Sequence, residues 1–173
     1  AAIITHTAFY VGWPKGWAVF RLAMEVWKDE GDAQDAKAAH AASMMFPIGE
    51  PNDGFAQYFI GQSFLAPISA SQIGIFNVTF EPGCRNNWHV HHAAKGGGQM
   101  LICVAGRGWY QEWGKEPVKM IPGMVIEIPL GMKHWHGATK DSYFAHLSIM
   151  SNTISGSHEW LEAVDDEAYD QLG

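Results

Sequence analysis

From Phe55 to Met150 the chain repeats one pattern: short strand-like runs, five to ten residues long, broken by glycine or proline at nearly even intervals. The runs are Gln57–Ser63, Gln72–Glu81, Asn87–His91, Gln99–Val104, Trp109–Trp113, Met124–Pro129 and Tyr143–Met150. Between them stand Glu81-Pro82-Gly83, Gly96-Gly97-Gly98, Gly106-Arg107-Gly108, Pro122-Gly123 and Gly131. Turn residues at this frequency break helices and punctuate strands. The pattern predicts a mainly β domain over residues 55–150, closed into a sandwich or a small barrel.

The flanks read differently. Over residues 1–45, Trp17, Phe20, Met24 and Trp27 fall at i, i+3, i+7 and i+10, one apolar stripe of a helix. Pro14 suits the first turn, where its missing N–H costs nothing, and the Ala-rich residues 33–45 predict a second, weaker helix. The stripe is expected to pack as core, against the barrel or another subunit. Residues 46–54, dense in Pro and Gly, read as a linker. Residues 151–173 read as a C-terminal tail, acidic from Glu159 to Leu172 and there a short helix or extended segment lying on the surface.

Composition narrows the function classes. Charged residues make up only 17% of the chain against 47% hydrophobic, which marks a folded domain. The net charge of −7 and the lack of any Lys/Arg cluster argue against nucleic-acid binding. No apolar run reaches the roughly 18–20 residues that cross a bilayer, and the N-terminal residues lack the basic and apolar regions of a signal peptide. A cytoplasmic protein is the expectation. Cys84 and Cys103 match no CxxC or zinc-knuckle spacing and read as free thiols in a reducing compartment.

Six of the nine histidines lie between residues 89 and 146. His89 and His91 are two apart in a strand-like run, so they face the same side. Gln99 opens the next run, where a return strand brings it beside them, and His134 follows the Pro129–Gly131 turn. Two imidazoles on one strand with donors from its neighbours make a three- or four-ligand cage with open positions, the arrangement of catalytic metal sites. His136 shares the parity of His134, and His146 the strand face of Phe144, Ser148 and Met150. Either can act as acid or base near neutral pH; the alternative is a histidine bonded to a backbone carbonyl. Trp88 and Trp135 flank ligands and should face away from the metal. His6 and His40 read as ordinary helix histidines.

The spacing Gly83-x5-His89-x-His91, Gln99, Gly106, then Gly123-x5-Pro129-x-Gly131-x2-His134, resembles the two motifs of the cupin superfamily. The resemblance covers residues 55–150 and implies a cupin jelly-roll barrel with a metal inside it, held by His89, His91, Gln99 and His134. Two departures stand out: Gln99 replaces the usual Glu after a longer gap, and Ala138 replaces the usual Asn. A neutral ligand set sharpens the Lewis acidity of the metal or else weakens its binding. The ligand set and Lys133-His134-Trp135-His136 are similar to the cupin hydroxynitrile lyases of bacteria. That likeness implies a divalent metal, manganese or iron first and zinc, nickel or copper as alternatives. It puts His136 and His146 in the cavity as catalytic, non-ligand histidines, with Phe76, Val78, Leu101 and Met150 as pocket walls. Thr7–Pro14 and the helix after it resemble the last helices of the carboxymuconolactone decarboxylase family, found fused to cupins, but the Cys-x-x-Cys…His site of that family is missing.

The expectation is therefore a metal-dependent lyase acting as Lewis acid on a small hydroxy or carbonyl substrate. A metal-dependent dioxygenase and a non-catalytic small-molecule-binding cupin are the alternatives. Partners are a small-molecule substrate and further copies of the chain, as a dimer or tetramer, with neither nucleic acid nor membrane.

Overall fold

The computed structural model describes residues 13–71, 73–150, 153–154 and 156–173. His6 and residues 7–12 of the decarboxylase-like stretch lie outside the described residues. The chain divides into two compact units, residues 1–39 and 40–173, each described by itself.

In the first unit the structure has one helix where two were expected. Helix α1 runs unbroken over Trp13–Ser43, its last turn from His40 belonging to the second unit. Six of residues 33–43 are Ala, the strongest helix former, which favours continuation over a break. Within the single chain Trp17, Met24 and Trp27 of the stripe are 60, 48 and 51% exposed, which leaves the expected cover to another subunit.

The second unit is built from antiparallel strands. In chain order they are β1 (Glu50–Pro51), β2 (Phe59–Ile60), β3 (Ser63–Ser69), β4 (Gly74–Phe80), β5 (Arg85–Asn86), β6 (His89–His92), β7 (Lys95–Gly96) and β8 (Gln99–Gly106). There follow β9 (Gly108–Glu112), β10 (Val118–Met120), β11 (Val125–Ile128), β12 (His134–Ala138), β13 (Phe144–Met150), β14 (Thr153–Ile154), β15 (Ser157–Trp160) and helix α2 (Asp166–Asp170). One sheet has the order β1-β3-β4-β13-β8-β11. The other runs β10-β9-β12-β5-β2, with β6 pairing both β12 and β15, and β14 pairs with β7 apart from both. The expected runs each contain a strand, although Gln57–Ser63 begins in the end of a short 3-10 helix (Asp53–Tyr58) and holds only the two residues of β2 and the first of β3. The longer strand there is β3, which was not among the expected runs; its Pro67 sits at a register irregularity, where a strand tolerates it.

Strand alternation puts the core between the sheets. Along β8 every second residue is buried: Gln99, Leu101, Cys103 and Ala105. Leu101 and Cys103 join Val78, Phe80, Met120, Ile128 and Phe144 in the main core, and each large apolar side chain buried there stabilises by about 1.5–3 kcal/mol. Both cysteines are free and buried. Two glycines permit the close approaches. A Cβ on Gly106, which has φ of +69°, would lie 1.7 Å from the Tyr143 carbonyl oxygen, and one on Gly137 would lie 2.6 Å from Arg85 Cα. The linker and tail are both drawn into the sheets: β1 pairs with β3, and β15 pairs with β6. Asp165 caps α2 by accepting from the Ala168 N–H at 2.9 Å. No helix among the described residues is long and apolar enough to cross a membrane.

Candidate metal centre and cavity

Pleating puts the histidines together. His89 and His91 are two apart on β6, and His134 and His136 are two apart on β12, all four buried. The two strands pair with His134 directly opposite His89, so their rings lie 4.1 Å apart between centroids. The His91 ring stands 5.4 Å from that of His134 and 5.2 Å from that of His89. His146 comes across from β13, at the point where its register with β8 slips, an irregularity of the kind that re-aims a side chain. Its ring meets that of His136 at 4.7 Å, nearly perpendicular.

Backbone carbonyls set two of the rings. His89 Nδ1 donates to the Asn87 carbonyl and His134 Nδ1 to the Met132 carbonyl, each at 2.9 Å. The bonds place the proton on Nδ1 and leave Nε2 with its lone pair, the usual second layer of a metal site. Gln99 opens β8 and its Nε2 donates to Ser148 Oγ at 2.8 Å. Gln99 Oε1, His134 Nε2 and both nitrogens of His91 are buried with no hydrogen-bond partner. An unsatisfied buried polar atom costs about 1–3 kcal/mol, and a bound cation would satisfy one nitrogen of His91 together with His134 Nε2 and Gln99 Oε1. Burial pulls the His91 ring down to about 3 and the His134 ring to about 4, and holds His89 well below the ordinary imidazole range. All three are neutral near pH 7, the form that binds a metal. Neutral imidazoles are donors that a divalent metal accepts.

His136 stands closer to this group than expected. Its ligating nitrogen and those of His89 and His134 all lie within 4.8 Å of one another, a three-histidine group that can hold a metal. The ring of His136 is nonetheless engaged. Asn86 Nδ2 lies 3.1 Å from its Nε2, and His146 Nε2 lies 3.3 Å from its Nδ1. Asn86 Oδ1 also accepts the His136 backbone N–H at 2.9 Å. Burial lowers His136 well below the usual range and His146 to about 4.

The histidines open on a cavity of about 270 Å³ with mostly apolar walls. Phe76, Val78 and Met150 line it with His89, His91, Gln99, His136 and His146. Leu101 is not among the lining residues, a correction to the expected pocket. It is fully buried in the main core, two residues further along β8 from Gln99, where Phe80 and Phe144 also pack. Trp88 and Trp135 face away from the cavity into a second cluster with Val164 and Tyr169.

Further lining residues were missed, among them Phe59, Asn86, His158 and Trp160. Trp160 packs its ring 4.8 Å from that of His89 and stacks on Tyr58 at 4.6 Å. His158 meets the His91 ring at 4.6 Å and 89°. His158 and Trp160 are two apart, a strand signature that the surrounding acidic residues concealed. Nothing in the run Asn86-Asn87 marks which amide turns inward.

Comparison with known proteins agrees with this geometry. A Cupin domain model matches residues 76–150. The chain is 42% identical over 106 residues to an (R)-mandelonitrile lyase of Granulicella tundricola, covering 61% of this chain and 77% of that protein. A cupin-like protein of Thermotoga maritima superposes with a TM-score of 0.64 at 32% identity, over 73% of this chain and 95% of its own. A DMSP lyase of Ruegeria pomeroyi shares the fold alone, with a TM-score of 0.50 and 15% identity over 73% of this chain and 60% of that one. On the two histidine-bearing strands and these likenesses together, the chain belongs to the cupin family.

Proposed function

We propose that the protein is a metal-dependent lyase acting on a small hydroxy or carbonyl substrate, by cyanohydrin cleavage or its reverse, the addition of cyanide to an aldehyde. The observation that carries the reading is the set of unpartnered buried donors, on His91, Gln99 and His134, next to His89 at an apolar cavity. The identity to an (R)-mandelonitrile lyase supports the same reaction class.

In this reading His89, His91, Gln99 and His134 hold the metal. His136 stays out of the set because Asn86 and His146 already occupy its two nitrogens. A bound divalent metal, manganese or iron by resemblance to the bacterial lyases, supplies Lewis acidity toward a hydroxyl or carbonyl oxygen, undiminished by any anionic ligand. Phe76, Val78 and Met150 seat the carbon skeleton and exclude water. The His136–His146 pair takes the hydroxyl proton as the bond to the nitrile carbon breaks. Cyanide leaves with the bonding electrons and takes a proton back from the same pair.

Elemental analysis of protein purified without chelator, beside the His89→Ala variant, tests the site. Near-stoichiometric metal in the wild type and none in the variant is expected, with cyanohydrin cleavage following the metal. His136→Ala and His146→Ala should keep the metal and lose about 10²-fold or more in turnover. Wild-type protein without metal, and taking none up on reconstitution, would overturn the reading. Substrate-dependent oxygen uptake without cleavage would turn it toward the dioxygenase.

A further inference from the structure

The residues after Met150 bring a strand to the metal centre. Strand β15 lies antiparallel to β6 with Trp160 directly opposite His89 and His158 directly opposite His91. Opposed residues of an antiparallel pair hold their Cβ atoms about 4.5–5.5 Å apart on the same face. The two side chains of β15 that face the cavity are thus matched, one to one, with the two histidines of β6. Trp160 backs His89 with its ring 4.8 Å away, and His158 meets His91 edge to face at 4.6 Å.

The two matches differ in what they hold. His89 already has the Asn87 carbonyl on its Nδ1, and His134 has the Met132 carbonyl. His91 has no backbone carbonyl on either ring nitrogen, and the polar side chain that acts on its ring is Gln99. Packing does the rest, with the rings of His89, His134 and His158 all in contact with it. A ligand lacking a hydrogen-bonded second layer costs affinity unless something else fixes its orientation.

We propose that His158 is a positioning residue for the metal centre, holding the unanchored ring of His91 by its edge-to-face contact so that the ring is already oriented when a divalent cation binds. The inference rests on the metal-site reading and adds to the centre a residue from outside the matched domain, residues 76–150. His158 coordinates nothing and touches no substrate in this role. It acts through His91.

Co(II) is a suitable probe, because its visible absorption reports ligand geometry as well as occupancy. Titration of the metal-free protein against a competing chelator, with the Co(II) spectrum of each complex, should show a Kd weakened about 10- to 100-fold in His158→Ala together with an altered visible band. His158→Phe, which restores a ring edge against His91, should recover the wild-type band and bind within about threefold of wild type. His92→Ala serves as the control for strand docking: His92 lies on the opposite face of β6, where it bonds Glu159 of β15 at 2.7 Å. It should bind Co(II) as the wild type does.

Equal affinity and an unchanged band in His158→Ala would overturn the inference while leaving the metal site intact. Equal weakening in His92→Ala would also overturn it, since docking of β15 rather than the His158 ring would then govern affinity. Wild-type protein that takes up no Co(II) would instead overturn the metal-site reading itself. Should His158→Ala fail to fold, His158→Leu keeps bulk without a ring edge and is judged by the same criteria.

Discussion

Leu101 and Gln99 lie on the same face of β8, two residues apart, yet they belong to different parts of the molecule. Gln99 reaches the cavity, with one amide atom bonded to Ser148 and the other free of any partner. Leu101 is fully enclosed by the core. Truncating it should therefore cost stability and leave binding alone. Leu101→Ala is expected to lose about 2–5 kcal/mol in chemical denaturation, with the KM for a cleaved cyanohydrin unchanged. A raised KM at unchanged stability would return Leu101 to the pocket wall. The parity of β8 was legible in the sequence, since alternation alone assigns these residues to the interior face. How deep each one sits was not, because depth depends on which strand packs across the barrel. The same limit hid Asn86, whose side-chain amide joins His136 while its neighbour Asn87 bonds the Leu161 carbonyl at 3.3 Å.

At the scale of elements, strands β5 and β12 are drawn together at one place. Gly137 pairs with Arg85, and a Cβ there would fall 2.5 Å from Arg85 Cβ and 2.7 Å from the Cys84 carbonyl oxygen. Neither neighbour can retreat easily, as Arg85 is itself buried, paired with Asp166 and laid over the Tyr169 ring at 4.1 Å. Gly137→Ala should therefore destabilise by about 1–3 kcal/mol, read as a lower denaturation midpoint at unchanged slope. It should also impair metal retention, because Gly137 follows His136 and lies three residues after His134 on the same strand. Most strands were legible as runs between glycines. Strands β6 and β12 were legible as carriers of ligands through the spacing of their histidines. Strand β15 was not, because its residues are polar and acidic and its partner lies far back in the chain. The long apolar stripe of α1 was legible as a face, but periodicity does not say what covers it.

For the second unit as a whole, neutrality of its buried imidazoles links stability to acidity. Five of those imidazoles belong to the site, and His40 does not. It stacks on Tyr143 at 4.8 Å, and burial lowers its pKa. The folded protein thus holds fewer protons at His40 than the unfolded chain, whose imidazole titrates near 6.5. The stability this confers is present above that value and declines as the pH falls below it. His40→Phe keeps the stack but cannot charge. Denaturation midpoints measured between pH 7.5 and 5.5 should accordingly fall less steeply in the variant, and an identical slope would show that His40 is protonated alike in both states. Strand β15 has a consequence for how this unit comes into being. The pair His92–Glu159 joins residues 67 apart in the chain, so the histidines of β6 are made long before the strand that backs them. A nascent chain in which β6 and β12 have already met still lacks the strand behind β6, and the cavity gains its His158 and Trp160 wall only when residues 157–160 emerge.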